Sequence, residues 1–181
     1  MIAGPRRGAA PPVLFDLDFS NGKDFVVASP GPGSATGQAF AEEDVRDVIL
    51  DAELGLVEGE EEDRYGLFFR QSAEERYVAC TINGAGHLSV GVVDGGPPLV
   101  IVDARLDGDV RFQQGVGATN RVTIVTCGPV AAVMVNRVAV AGAMLDARYV
   151  TGRAGALLVH TSSRPTARLA VRWAQARAII A

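Results

Sequence analysis

The feature that most constrains this chain is a succession of short alternating segments separated by turn residues. Tyr65-Gly-Leu-Phe-Phe-Arg70 is followed by Arg76–Ile82, a glycine turn, His87–Val93, a second glycine turn, Asn120–Cys127, a Gly-Pro turn and Val130–Asn136. Apolar and polar side chains that alternate over such lengths, with Gly, Pro and Asn between the runs, predict an antiparallel β-sandwich. No stretch carries a long helical period, a heptad or an internal repeat. Val13–Phe19, Leu99–Ala104, Val138–Val140, Gly155–His160 and 167–180 read as further strands, Ser29–Gly37 and 107–119 as loops, and Asp146–Val150 as a short helical turn or a loop.

The chain has 181 residues, 48% of them apolar, which suits one domain with a sizeable core. Residues 1–12 are rich in Pro, Gly and Arg and read as a flexible arm or linker, leaving 13–181 as the sandwich. A net charge of −4 gives no general attraction to nucleic acid or anionic membrane. Lys23 is the only lysine, and the arginine bias reads as coding composition. No run approaches the roughly 20 apolar residues of a membrane helix, so membrane insertion is not expected. The first residues lack the apolar core of a signal peptide. The expectation is a cytoplasmic protein if the chain is complete, and an extracellular one if it is trimmed from an exported parent.

Val45–Val57 shows the period of two most clearly. Val48, Leu50, Ala52, Leu54 and Leu56 fall on one face, with Asp47, Ile49, Asp51 and Glu53 on the other. If this strand forms a hairpin with Tyr65–Arg70 across the charged turn 59–63, Leu54 opposes Leu67, Ala52 opposes Phe69, and Asp51 opposes Arg70. Cys80 and Cys127 each lie inside a predicted strand and read as two buried thiols; a disulfide between them requires neighbouring strands.

The order of motifs resembles the concanavalin A-like, laminin-G-like jelly rolls of bacterial proteins, including domains similar to 3-keto-disaccharide hydrolases. The motifs are Phe15-Asp-Leu-Asp-Phe-Ser20, Val48–Gly59, Tyr65–Arg70, Tyr77 with Gly84, Gly117-Ala-Thr-Asn-Arg121, Val135-Asn-Arg137, Gly152-Arg-Ala-Gly-Ala-Leu157 and Trp173-Ala-Gln175. The resemblance implies a two-sheet, all-β antiparallel jelly-roll sandwich over residues 13–181. It also implies a turn Val-Asn-Gly, where this chain has Arg137, so a local departure from a type I′ turn is expected. A structural cation shared by acids of the first and last strands is a further implication. Ala174 replaces the terminal acid, and Asp16, Asp18 and Asp24 alone are not a full calcium cage. No cofactor is expected.

Glycosidases of this fold carry Glu-x-Asp-x-x-Glu on one strand, where spacing by two places the acids on one face. This chain offers Asp51 and Glu53 in reversed order and without a third acid. His87 and His160 read as surface or strand histidines. Ser89 shares a face with His87, and no nucleophile elbow accompanies it. The glycine pairs Gly31–Gly33 and Gly115–Gly117 lack the Lys-Ser/Thr of a phosphate loop. Phe68, on the expected outer face, and Tyr77 are the candidate aromatic rings for stacking on a sugar, and the resemblance implies that Trp173 lies in the core. Asp51, Glu53, Phe68, Arg70 and Tyr77 are therefore the candidate residues for contact with a ligand or partner. The sequence favours a non-enzymatic module for protein docking or self-association. A carbohydrate-binding lectin-like module is the alternative, with a glycoside-processing enzyme third.

Overall fold

The computed structural model describes residues 12–19, 25–106 and 111–179. The arm expected over 1–12 therefore lies outside the described residues except for Pro12, as does Asp24. Among the described residues there are strands β1 (Val13–Asp18), β2 (Phe25–Ala28), β3 (Ala35–Ala39), β4 (Val48–Glu58), β5 (Arg64–Ala73), β6 (Arg76–Asn83) and β7 (His87–Asp94). They continue as β8 (Leu99–Arg105), β9 (Asn120–Cys127), β10 (Val130–Val135), β11 (Val138–Met144), β12 (Arg153–Val159) and β13 (Arg168–Ala178). β2 was not expected, and β3 forms where a loop was read. Both are short and half-exposed, so hydrophobic alternation does not mark them.

Two antiparallel sheets face each other. One runs β1-β13-β4-β9-β10-β11, with β2 also on β13, and the other runs β3-β12-β5-β6-β7-β8. This is the two-sheet jelly-roll sandwich. Its core is built by the inward positions the alternation marks: Leu50, Leu54 and Leu56 of β4, Leu67 and Phe69 of β5, Val78, Cys80 and Ile82 of β6, and Val122 and Ile124 of β9 are all buried. Removing such a side chain from a close-packed core typically costs about 2–5 kcal/mol.

The expected hairpin between β4 and β5 does not form, because the two strands lie in different sheets. Asp51 pairs instead with Thr123 on β9 and Gln175 on β13, and the register Asp51–Arg70 is corrected accordingly. Period-two patterning sets which side faces the core but not which sheet a strand joins. The crossover turns at Gly59, whose φ is 133°, and where a Cβ would stand 2.5 Å from Asp63 Oδ2. Buried Asp63 holds that turn. It accepts bonds from Glu60 N at 2.9 Å, and from Thr161 N, Ser162 N and Ser162 Oγ at 2.8 Å. Burial pushes its pKa up, but these four donors outweigh burial and leave it below the ordinary value.

Val135-Asn136-Arg137-Val138 does adopt positive φ at both central residues, 49° and 72°. The local departure expected from Arg137 is not seen. Asn136 carries the turn by its side chain: its Oδ1 accepts from Arg121 N at 2.9 Å and its Nδ2 donates to Asn120 Oδ1 at 2.9 Å. Cys80 is buried in β6 and burial pushes its thiol up to about 12, whereas Cys127 is exposed in β9 of the other sheet. The expectation of two buried thiols is corrected for Cys127, which ends its strand at the turn; both are free.

Candidate functional site

The five residues grouped by the sequence are separated by the fold. Asp51 and Glu53 lie on the outer face of the first sheet. Arg121 Nε donates to Asp51 Oδ1 at 2.9 Å, a second nitrogen of Arg121 meets Oδ2, and Thr123 Oγ1 donates to Oδ1 at 2.9 Å. The bonded Asp51 carboxylate holds the Arg121 guanidinium above its usual pKa range. Glu53 accepts from Trp173 Nε1 and from Arg172 at 3.3 Å each. Trp173 is thus not a core residue. A register shift between Val171 and Trp173 turns its ring outward, where Arg121 sits 5.1 Å from the ring centroid.

Arg70 lies inside the sandwich at 1% exposure. Its φ of 55° breaks the alternation of β5 and swings the side chain off the outer face. It donates to the carbonyls of Tyr149 and Gly128 at 2.7 Å, and Asp47 lies at 3.8 Å. This is a structural pin, not a contact surface.

Phe68 is on the outer side of the second sheet as expected, but it is 2% exposed. Its ring covers Gly155, where a Cβ would stand 2.6 Å away, and Gly37, where it would stand at 3.2 Å. The absence of side chains at those two glycines lets the ring lie down on the sheet. Tyr77 packs on it with ring centroids 6.0 Å apart and a 60° tilt. Tyr77 itself is half-buried and remains open to a groove. Burial, together with the charge of Glu75, raises its phenol pKa, so it is a neutral hydroxyl donor at neutral pH.

The groove runs over the outer face of the second sheet and has a volume of about 370 Å³. Cross-strand registers assemble it from residues far apart in sequence. One row is Leu157–Gly66–Thr81–Ser89–Asp103, from β12 to β8. The next row is Gly155–Phe68–Ala79–Gly91–Val100. Small residues at Gly66, Ala79 and Gly91 lower the floor. At Gly66 no side chain fits, since a Cβ would stand 2.0 Å from Cys80 O. Tyr77, Val93 and Val100 supply apolar walls, and Thr81, Ser89, Asp103 and Arg64 supply polar groups. An apolar trough with a few converging polar groups is the common form of a small-molecule site. Sequence reasoning found Tyr77 but missed Arg64, Thr81 and Asp103, and noted Ser89 only beside His87.

His160 builds no catalytic triad with these groups. His160 is fully buried after β12, so it is not a surface residue; Ser29 Oγ lies 2.8 Å from its Nδ1 and Ser34 Oγ lies 2.7 Å from Ser29 Oγ. This polar knot fastens the β2–β3 loop to β12, with Gly33 N donating to His160 O at 2.8 Å. Ala174, which stands where the resemblance implies an acid, is buried and faces inward, and no three Asp, Glu, His or Cys side chains converge among the described residues, outside which Asp24 lies.

No protein-family model matches the chain, and no curated protein matches it in sequence. Solved structures do. The carbohydrate-binding module CBM66 from Bacillus subtilis superposes with a TM-score of 0.64 at 11% identity, over 82% of this chain and 97% of that one. The Bacillus licheniformis β-glucanase gives 0.61 at 7% identity, over 96% and 100%. The carbohydrate recognition domain of Emp47p gives 0.55 at 14% identity, over 91% and 95%. At these identities the likeness shows the fold, a concanavalin A-like jelly roll.

Proposed function

We propose that the chain is a carbohydrate-binding module, and that the groove on its second sheet receives the saccharide. The observation that carries this reading is the pairing of an aromatic wall with a hydroxyl-lined floor. A pyranose ring has apolar C–H faces and an equatorial belt of hydroxyls. The Tyr77 ring, held from behind by Phe68, offers a flat apolar surface for the first. Thr81, Ser89 and Asp103, side by side in one cross-strand row, offer donors and acceptors for the second. The names of CBM66, a carbohydrate binding module, and of the Emp47p carbohydrate recognition domain support the same reading of a shared architecture.

Binding without turnover is part of the proposal. Asp51 is engaged by Arg121 and Thr123, and Glu53 by Trp173 and Arg172, on the sheet opposite the groove. The residues lining the groove include one carboxylate, Asp103, where glycoside cleavage needs two. A glycan array should give hits that Tyr77→Ala reduces at least tenfold by titration, with Asp51→Asn and Glu53→Gln unchanged. Hydrolysis products that disappear in Asp51→Asn would contradict it.

Docking of a protein partner is a second reading, favoured by the edge strand β8, where Leu99 is 70% and Val100 53% exposed. Light scattering that shows a stable oligomer, lost on Leu99→Lys, would support it.

A further inference from the structure

We propose that the saccharide taken by this groove is acidic, with a carboxylate or sulfate substituent held by Arg64. The inference rests on the saccharide reading and adds the charge class of the ligand. Arg64 begins β5 and lines the groove, half-buried, beside Val159 of β12 and Asn83 of β6. Several other arginines of this chain are ion-paired: Arg76 lies 2.8 Å from Asp94, Arg164 lies 2.8 Å from Glu60, and Arg172 lies 3.3 Å from Glu53. Arg64 has no carboxylate within ion-pair distance among the described residues. A half-desolvated guanidinium with unused donors is a ready partner for a planar or tetrahedral oxyanion.

The surrounding charges give the groove a direction. Asp103 sits on β8, three strand spacings from β5, or roughly 14 Å away. No ion pair joins it to Arg64, and it repels an anion from its own end of the trough while offering an acceptor for hydroxyl donors there. On the Arg64 side, the next outward row continues through Asn83 to His87 and Arg105, which oppose each other across β7 and β8. His87 N donates to Asn83 Oδ1 at 2.9 Å, which fixes the turn that joins them. Arg105, like Arg64, has no ion-pair partner among the described residues. Arg64 and Arg105 therefore lie in one cross-strand row, and the hydroxyl-and-carboxylate row lies next to it. An oligosaccharide with charged substituents on one edge matches that layout. The overall charge of −4 means the attraction is local to this face.

The test is equilibrium binding of the full chain to polygalacturonate, alginate and hyaluronan, each native and carboxyl-reduced, and to heparin, native and desulfated. The proposal expects at least one native polymer to bind, its neutralised counterpart to bind at least tenfold more weakly, and Arg64→Gln to reproduce that loss. Arg64→Lys should recover part of it, and affinity should fall as salt rises. Loss on carboxyl reduction assigns a uronate, and loss on desulfation assigns a sulfate. Neutralised polymers that bind as well as native ones, with Arg64→Gln unchanged, overturn the acidic ligand and leave the saccharide reading standing. Failure to bind any glycan, charged or neutral, overturns both. The polymer comparison uses the unmodified protein, so it decides the question even where a variant folds poorly.

Discussion

Arg70 shows how one side chain is taken out of a surface and made part of the frame. Its backbone adopts φ 55°, and its guanidinium spans the carbonyls of Tyr149 and Gly128 at 2.7 Å. Burial pulls its pKa below the ordinary arginine value, with Asp47 opposing the shift. Arg70→Met keeps the bulk but leaves those carbonyls without a donor. Such a loss typically costs about 2–4 kcal/mol. Urea denaturation of Arg70→Met should show a lower midpoint at unchanged slope, while glycan binding per folded molecule is retained; an unchanged midpoint would sink the assignment. Nothing in Tyr65-Gly-Leu-Phe-Phe-Arg70 announces this role. Alternation places Arg70 outward with Phe68, and only a left-handed residue, rare for arginine, sends it inward. Trp173 is the converse case. A bulge at the preceding residue moves an aromatic side chain from its expected core position to the outer face beside Arg121. At this scale the sequence misleads wherever one residue breaks the period.

At the scale of elements, the inward sets of β4, β5, β6 and β9 are legible because hydrophobic alternation is the direct record of burial. The pairing of β4 with β5 is not, since a tight charged turn can either close a hairpin or carry the chain to the facing sheet. Asp63 decides between them by gathering four hydrogen bonds, one from Glu60 within the turn and three from Thr161 and Ser162, about 100 positions away in sequence. The β10–β11 turn illustrates a smaller conflict. Arg137 holds φ 72° where a type I′ turn favours glycine, and the Asn136 side chain sustains it. Arg137→Gly relieves that strain, by about 1 kcal/mol on the usual cost of a left-handed non-glycine residue. The melting temperature should rise by a few degrees. A fall would show that the Arg137 side chain makes a contribution that backbone strain does not outweigh.

For the whole molecule, the two sheets divide the labour. The first sheet carries ion-paired acids, Asp51 and Glu53, around an outward Trp173. The second carries a trough whose floor is small and whose walls are aromatic and polar. That trough is assembled from β3, β5, β6, β7, β8 and β12, so its residues are scattered between Ala35 and Val159 in the chain. The jelly roll itself was legible in the order of motifs along most of the sequence. The groove was legible only through Tyr77, because Thr81, Ser89 and Asp103 become neighbours solely by register. Asp51 and Glu53 are engaged by Arg121, Thr123, Arg172 and Trp173 on the sheet opposite the trough. The most direct test of the central claim fills the trough from its floor. Ala79 lies between Phe68 and Gly91 and its methyl side chain carries no hydrogen-bonding group, so Ala79→Leu removes space without removing a polar side chain. Glycan titrations of wild type and Ala79→Leu, each checked for the same β-sheet circular dichroism, should show a saccharide bound by the first and at least tenfold weaker in the second. Equal affinity in the two proteins, or no saccharide bound by the wild type, would contradict the account.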